Sequence, residues 1–159
     1  MERHSLFAAL TDAVGSLLIN LADNALKRPS VAALTSLRST TLAECDRTHD
    51  HAAICRSGGK TPGTFAVAMP SETAEALAGL VLGEIGDVTP TYTASFLCEF
   101  TQWVANRALP RLGVTDFDFL PESVTADSLG EYFSPNDDST WLRIECEIGQ
   151  LHVGANFDS

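Results

Sequence analysis

The chain is organised around residues 95–108, which read SFLCEFTQWVANRA. Most of this stretch is apolar, and four of its polar residues follow one another at spacings of 4, 3 and 4: Ser95, Glu99, Gln102 and Asn106. At about 100° per residue, their side chains lie within an arc of roughly 60° on a helix, and we call these four residues the polar stripe. A helix that is apolar on nearly every side is normally buried, so the polar stripe predicts a surface that faces a partner protein.

Composition narrows the class of protein. A length of 159 residues predicts a single domain over 1–159. The net charge of −11, from 10 basic and 21 acidic residues, disfavours binding to nucleic acid phosphates or to an anionic membrane. No apolar run approaches the roughly 20 residues of a membrane span, and no secretory signal opens the sequence. We therefore expect a cytoplasmic protein with reduced cysteines.

The sequence before the polar stripe predicts a helix, a β-rich region and a second helix. Apolar residues recur every three or four positions over 6–27, which is typical of an amphipathic helix. Two less polar segments on either side of a polar turn predict a hairpin within 31–57. Residues 64–69 predict a strand, and Ser71 is placed to cap a helix that ends near Gly83.

The sequence from the polar stripe onward predicts a long helix followed by β-structure. The helix covers about 93–109, and the mostly polar segment 127–138 predicts a loop. Apolar and polar residues alternate over 142–157, which predicts a closing hairpin with a type II′ turn at 149–150 and an exposed His152. Because helices and strands are grouped, we predict an α+β fold in which an antiparallel-rich sheet packs with the N-terminal helix and two consecutive long helices.

Three segments occur in the same order in a known family. They are residues 63–84, the helix at 99–106 and the closing hairpin at 142–157. Together they resemble the CheC/CheX/FliY group of chemotaxis phosphatases, and most closely its single-site CheX branch. The resemblance implies a CheX-like fold, and a homodimer is the assembly to expect from it.

The resemblance also implies a function for the polar stripe. Members of the family hydrolyse the aspartyl phosphate of a CheY-type response-regulator receiver, which brings its own Mg²⁺, so no metal or cofactor of this chain is expected. Their signature is an acidic residue or Ser, three residues, Glu, two residues and Asn, and it corresponds here to Ser95, Glu99 and Gln102. The implied catalytic residues are Glu99, which would pair with a receiver lysine, and Gln102, whose amide can hold the attacking water. Ser95 and Asn106 would border the contact.

Three other interpretations stay open. Gln102 replaces the family's Asn, so the same helix could bind a receiver or another signalling protein without catalysis. The polar stripe could also be an ordinary solvated helix face. Finally, Cys45, His49, His51 and Cys55 could hold Zn²⁺ on the predicted hairpin, although their spacing is not one of the usual zinc-site patterns.

Overall fold

Strands and helices are grouped along the chain as the sequence predicts. The computed structural model describes residues 8–10, 12–13, 16, 34–40, 51–57, 63–82, 89–113, 122–125, 129, 131–133, 140–146 and 149–157. Its elements are, in order, β1 (Leu34–Thr40), β2 (His51–Ser57), β3 (Gly63–Met69), α1 (Ser71–Leu82), α2 (Pro90–Ala108), a 3-10 turn (Pro110–Leu112), β4 (Glu122–Thr125), β5 (Thr140–Cys146) and β6 (Gly149–Phe157). Within these ranges, no helix is long and apolar enough to cross a membrane.

The described strands form one antiparallel sheet in the order β1-β5-β6-β3-β2-β4. Helices α1 and α2 follow one another between β3 and β4. The described residues of the predicted N-terminal helix are helical, and Ala9, Leu10 and Ala13 pack into the same core as α1 and α2. The predicted α+β fold, with an antiparallel sheet and two consecutive helices, is therefore confirmed, whereas most of the helix predicted over 6–27 lies outside the described residues.

The main hydrophobic core lies between the helices and one face of the sheet. Alternate residues of a strand point to the same face, so the odd positions of β3 and the even positions of β5 reach this core together. Leu10, Leu77 and Phe100 enter it from the three helical segments and are fully buried. The strand residues in it are Ala53, Cys55, Phe65, Val67, Met69, Leu142, Ile144, Leu151, Val153 and Ala155.

The opposite face of the sheet is also covered, which the sequence analysis did not predict. Leu129 and Phe133 are fully buried there, beside Trp141 of β5. The predicted loop over 127–138 therefore does not simply project into solvent, because among its described residues Leu129 and Phe133 pack on the sheet. His152 is also not exposed as predicted: it lies on β6 between Arg143 of β5 and Ala68 of β3 and is 1% exposed.

The predicted hairpin within 31–57 does not form. β1 pairs with β5, whereas β2 pairs with β3 and β4, so three strands separate β1 from β2. The composition of the two strands explains this arrangement. Residues 52–55 of β2 are all buried and belong in the interior of a sheet, whereas β1 reads LTSLRST and suits an edge.

The closing hairpin forms, with a different turn from the one predicted. Cys146 pairs with Gly149, so the two connecting residues are 147–148, which lie outside the described residues, and Gly149 already belongs to β6. Gly149 has φ +147°, and a Cβ there would overlap Thr73 Oγ1 of α1. Glycine is thus needed where the hairpin meets α1. The turn lies two residues earlier than predicted, so each residue of β5 pairs with a residue four positions earlier in β6. Because this shift is even, the side chains keep their predicted faces.

Candidate functional site

Helix α2 carries the polar stripe, and its ends are well defined. Thr89 precedes the helix, and its hydroxyl oxygen accepts a hydrogen bond of 3.1 Å from the Tyr92 backbone N–H. At the other end, the Leu109 N–H donates to the Ala105 carbonyl at 2.9 Å before the 3-10 turn begins. Gly113 then ends that turn in the left-handed conformation, with φ +78°. The observed helix begins three residues before the predicted one and ends one residue earlier, with Leu109 as its C-terminal cap.

Replacing Thr89 with alanine removes this cap, and we expect it to lower the free energy of unfolding by about 1 kcal/mol. Thr91→Ala is the matched control, because Thr91 is exposed and its hydroxyl makes no hydrogen bond with another described residue. Alanine also favours helix, so the control should be neutral or slightly stabilising. Urea unfolding measures both variants, and equal losses would contradict a capping role for Thr89.

The inner face of α2 is packed so that the helix cannot easily rotate. Phe96 and Phe100 are buried with ring centroids 5.8 Å apart. Thr101, the polar residue at the centre of this face, is fully buried and donates its hydroxyl hydrogen to the Leu97 carbonyl at 2.7 Å. Because this buried hydroxyl is satisfied within the helix, the inner face needs no polar partner from the sheet. The outer face is thereby fixed in direction.

The four residues of the polar stripe lie on that outer face. Ser95, Glu99 and Asn106 are exposed, and Gln102 is half-buried. Residues three or four apart on a helix have Cβ atoms about 5–6 Å apart, so Glu99 and Gln102 are neighbours. Within the described residues, none of the four side chains makes a hydrogen bond or an ion pair. The stripe is about 16 Å long at 1.5 Å per residue, and its polar groups are uncommitted with respect to the described part of the chain.

Two half-buried aromatic residues border the polar stripe on one side. Tyr92 and Trp103 both pack against the main core while keeping part of their surface exposed. The Trp103 ring meets Phe96 edge-on, with centroids 6.3 Å apart and an interplanar angle of 78°. This contact holds Trp103 beside Gln102 on a rigid base. A partly exposed aromatic ring on a rigid helix is a common anchor in protein interfaces.

Cys98 lies at the other border of the polar stripe and is half-buried. Burial raises the pKa of the Cys98 thiol, and the adjacent Glu99 carboxylate raises it further. The thiolate is the reactive form of cysteine, so Cys98 is mostly protonated and a weak nucleophile at neutral pH. Chemistry at this surface is therefore better assigned to the carboxylate and the amides than to a thiolate.

Two arginines hold the end of α2 to the N-terminal helical segment. Arg107 donates to the Ser16 hydroxyl at 3.0 Å, and Arg111 forms an ion pair of 3.0 Å with Asp12. Both cations are thus engaged away from the polar stripe. No described cation forms an ion pair with Glu99, which leaves its carboxylate available to a positive group from outside.

The zinc arrangement considered above loses its structural basis. Cys45 and His49 lie outside the described residues, and the hairpin that would bring them to His51 and Cys55 is not formed. His51 and Cys55 lie on the same strand, about 13 Å apart at 3.3 Å per residue, which is too far for one tetrahedral site. His51 instead shares a hydrogen bond of 2.9 Å with Ser71, and Cys55 is buried in the main core.

Comparison with known proteins finds similarity in structure rather than in sequence. No protein-family model and no curated protein sequence matches this chain. A CheC-like chemotactic protein from Shewanella oneidensis MR-1 has a TM-score of 0.69 at 15% identity, over 99% of this chain and 100% of that one. CheX from Borrelia burgdorferi, solved in complex with CheY, BeF3 and Mg²⁺, has a TM-score of 0.67 at 15% identity, over 96% and 97%. CheX from Vibrio vulnificus has a TM-score of 0.64 at 16% identity, over 99% of both chains.

These similarities define the class of the fold. The chain has the α+β fold of the CheC/CheX/FliY chemotaxis proteins, as the resemblance in sequence predicted. The match extends over nearly the whole length of both this chain and the solved structures. Within that class, CheX and CheC-like proteins are the structures that the chain resembles, in agreement with the predicted CheX branch.

Proposed function

We propose that this chain is a CheX-type phosphatase that docks the polar stripe against a CheY-type receiver and hydrolyses its aspartyl phosphate. The observation that carries the proposal is the uncommitted polar stripe on a helix whose other face is sealed in the core. The similarity in fold to a CheX protein solved in complex with CheY supports the choice of partner.

Hydrolysis of the receiver's aspartyl phosphate requires little covalent chemistry from the phosphatase. Water attacks the phosphorus in line, the phosphorus–oxygen bond to the receiver's aspartate breaks, and its electron pair stays on the aspartate carboxylate. The products are the free carboxylate, inorganic phosphate and a proton. Catalysis of such a transfer depends on positioning and on charge stabilisation, and the receiver's own Mg²⁺ supplies positive charge at the phosphoryl oxygens.

Gln102 is the group that we assign to the water. Its amide oxygen can accept a hydrogen bond from the water while the amide nitrogen donates to a neighbouring oxygen, which orients the water's lone pair toward phosphorus. The residue is half-buried, so its side chain has less freedom than one that extends fully into solvent. A restricted amide is a better positioning device than a mobile one, because misplacement by about 1 Å can cost about 100-fold in rate.

Glu99 is the group that we assign to docking. Its exposed carboxylate has no cationic partner in the described part of the chain, so it can pair with a lysine of the receiver without first breaking another ion pair. Ser95 and Asn106 stand at the two ends of the stripe and set the register of the contact. Glu99 is a positioning residue in this scheme, since it does not touch the reacting atoms.

A non-catalytic docking module is the second candidate, and one observation favours it. Gln102 is one C–C bond longer than the Asn of the family signature, and its base is fixed because the inner face of α2 is packed. If the receiver docks at the same distance from the helix as the family signature implies, the amide overshoots the water position. The chain would then bind the receiver and leave its phosphate in place.

One experiment separates the two functions. The purified chain is added to candidate CheY-type receivers carrying labelled acyl phosphate, and the phosphate lifetime and the binding affinity are both measured. A lifetime that shortens as the chain is added supports the phosphatase, and binding with an unchanged lifetime supports the docking module. Absence of both effects across the receivers tested would overturn both proposals.

A matched pair of variants tests whether receiver binding depends on the charge at Glu99 or on net charge alone. We expect Glu99→Gln to weaken receiver binding about tenfold or more, because charge-assisted hydrogen bonds contribute about 1.5–3 kcal/mol. Glu75→Gln makes the same change in net charge at another exposed glutamate, on α1, and should leave binding unchanged. Equal losses in the two variants would show that net charge matters rather than the position of Glu99.

A further inference from the structure

A second polar surface lies on the sheet face opposite α2. It is a groove of about 490 Å³ lined by Arg56, Thr64, Glu131 and Tyr132. Arg56 on β2 and Thr64 on β3 are directly paired across the strands, so their side chains stand on the same face. The even positions of these two strands face away from the main core, so this groove and the polar stripe are on opposite sides of the sheet.

The wall of the groove that carries Tyr132 is held firmly. Its neighbours Leu129 and Phe133 are fully buried in a second hydrophobic core, which lies on this face of the sheet and includes Trp141. Phe133 packs on Trp141 with ring centroids 5.0 Å apart. The Tyr132 N–H also donates to the Leu129 carbonyl at 3.0 Å. Tyr132 is therefore a fixed platform, and the Arg56 guanidinium carbon lies 4.7 Å from the centre of its ring.

Among the described residues, the guanidinium of Arg56 contacts the Tyr132 ring and has no ion-pair partner. Arg111 and Arg143 form ion pairs with Asp12 and Glu145, whereas Arg56 has no carboxylate within ion-pair distance among the described residues. The guanidinium carries five N–H donors, and its contact with the Tyr132 ring is not a hydrogen bond to any of them. A planar group with two parallel donors fits a carboxylate or a phosphate in a bidentate manner.

We propose that this groove binds the carboxylate of an acidic segment of a partner protein. The chain carries a net charge of −11, so long-range attraction does not draw an anion in, and recognition depends on the short-range fit at Arg56. Glu131 in the same groove repels a phosphate dianion more than a singly charged carboxylate. It can also accept hydrogen bonds from the backbone N–H groups that flank an acidic side chain in a peptide.

The groove is independent of the proposed phosphatase function. Because it lies on the other side of the sheet from α2, an acidic partner can occupy it while a receiver occupies the polar stripe. The consequence is that one copy of the chain can join two proteins at once.

A titration followed by NMR tests the proposal on the full chain. The probes are the peptide acetyl-Gly-Glu-Gly-amide, the same peptide with Gln in place of Glu, and inorganic phosphate. We expect saturable shifts of the Arg56 side-chain and Tyr132 signals with the Glu peptide, and binding of the Gln peptide or of phosphate at least about tenfold weaker, given the strength of charge-assisted hydrogen bonds.

Variants decide whether Arg56 is the recognising group. Arg56→Gln should weaken binding of the Glu peptide about tenfold or more, and Arg56→Lys should also weaken it because lysine keeps the charge but loses the planar fork. Arg111→Gln removes an exposed arginine far from the groove and should leave binding of the Glu peptide unchanged. Its NMR spectrum is the reference for a folded arginine variant. Unsaturable shifts, tighter binding of phosphate, or equal binding by Arg56→Gln would overturn the proposal.

Discussion

Replacing Gln102 with alanine is expected to slow receiver dephosphorylation by about 100-fold, because removing one preorganised group at the reacting centre typically costs about 10²–10³ in rate. The amide is the one group of the stripe that we place on the attacking water. Binding of the receiver should change little, since Glu99 and the ends of the stripe are intact. The loss should therefore appear in the maximal rate and not in the receiver concentration that gives half of it.

Gln102→Asn tests the position of the amide rather than its presence. The substitution restores the residue of the family signature and shortens the side chain by one C–C bond. We expect an intermediate rate, above that of Gln102→Ala and below that of the original chain, if the receiver docks at the distance that suits Gln. A rate higher than the original would mean that Gln102 overshoots, which is the argument for the docking module.

The controls for these variants concern folding and binding. Gln102 is half-buried, so urea unfolding must show that neither variant has lost much stability. Unchanged dephosphorylation by Gln102→Ala, in a receiver pair that the original chain does dephosphorylate, would remove Gln102 from the mechanism. The proposal that the chain is a phosphatase would stand after that result. The assignment of Gln102 to the attacking water would be wrong.

Gly154→Ala is expected to lower the free energy of unfolding by about 3 kcal/mol, at the upper end of the range for overpacked sites. Gly154 pairs with Trp141 across β5 and β6, and a Cβ at residue 154 would lie 2.5 Å from two carbon atoms of the Trp141 ring. The ring cannot move away easily, because Phe133 packs edge-on against it with centroids 5.0 Å apart. The strain must therefore spread into β6 or into the second core.

Gly113→Ala is the matched control for this substitution. Gly113 has φ +78°, which costs alanine about 1–2 kcal/mol, but a Cβ there would meet no atom within 4 Å. Urea unfolding of both variants, followed by circular dichroism and by Trp fluorescence, separates steric overlap from backbone strain. A Gly154→Ala variant that loses no more stability than Gly113→Ala would contradict the tight contact with Trp141.

The elements set by local patterns could be predicted from the sequence. The strand at 64–69, the helix after it and the long helix that carries the polar stripe each follow from periodicity and from the residues at their ends. The direction of the polar stripe was also predictable, because the spacing of its four residues on one helix needs no tertiary information. The grouping of helices and strands then favoured α+β over a parallel sheet.

The pairing of distant strands was not predictable in the same way. Nothing in the local sequence of β1 specifies β5 as its partner, and the polar turn after β1 resembled the turn of a hairpin. The covering of the second sheet face depends on two apolar residues, Leu129 and Phe133, in a polar context. Both are separated by more than a strand length from the residues they cover, so periodicity carries no signal of the contact.

The candidate site was likewise predictable from the sequence only in part. The alignment of Ser95, Glu99, Gln102 and Asn106 was predictable, whereas the finding that they make no hydrogen bond to another described residue required the structure. The half-burial of Gln102 and the border formed by Trp103 depend on packing around α2. The groove at Arg56 was not predictable at all, because Arg56 and Tyr132 are 76 positions apart.

The strand order has a consequence for how the chain is synthesised and folded. β6 follows every other described strand in the sequence, yet it lies inside the sheet and joins β5 to β3. β1, made early, has its partner in β5, about a hundred residues later. Until β5 and β6 have been synthesised, β1 therefore has no strand partner, and β3 is paired only with β2. These strands become one sheet only when the closing hairpin has been synthesised, so their unpaired edges stay exposed to aggregation until that point.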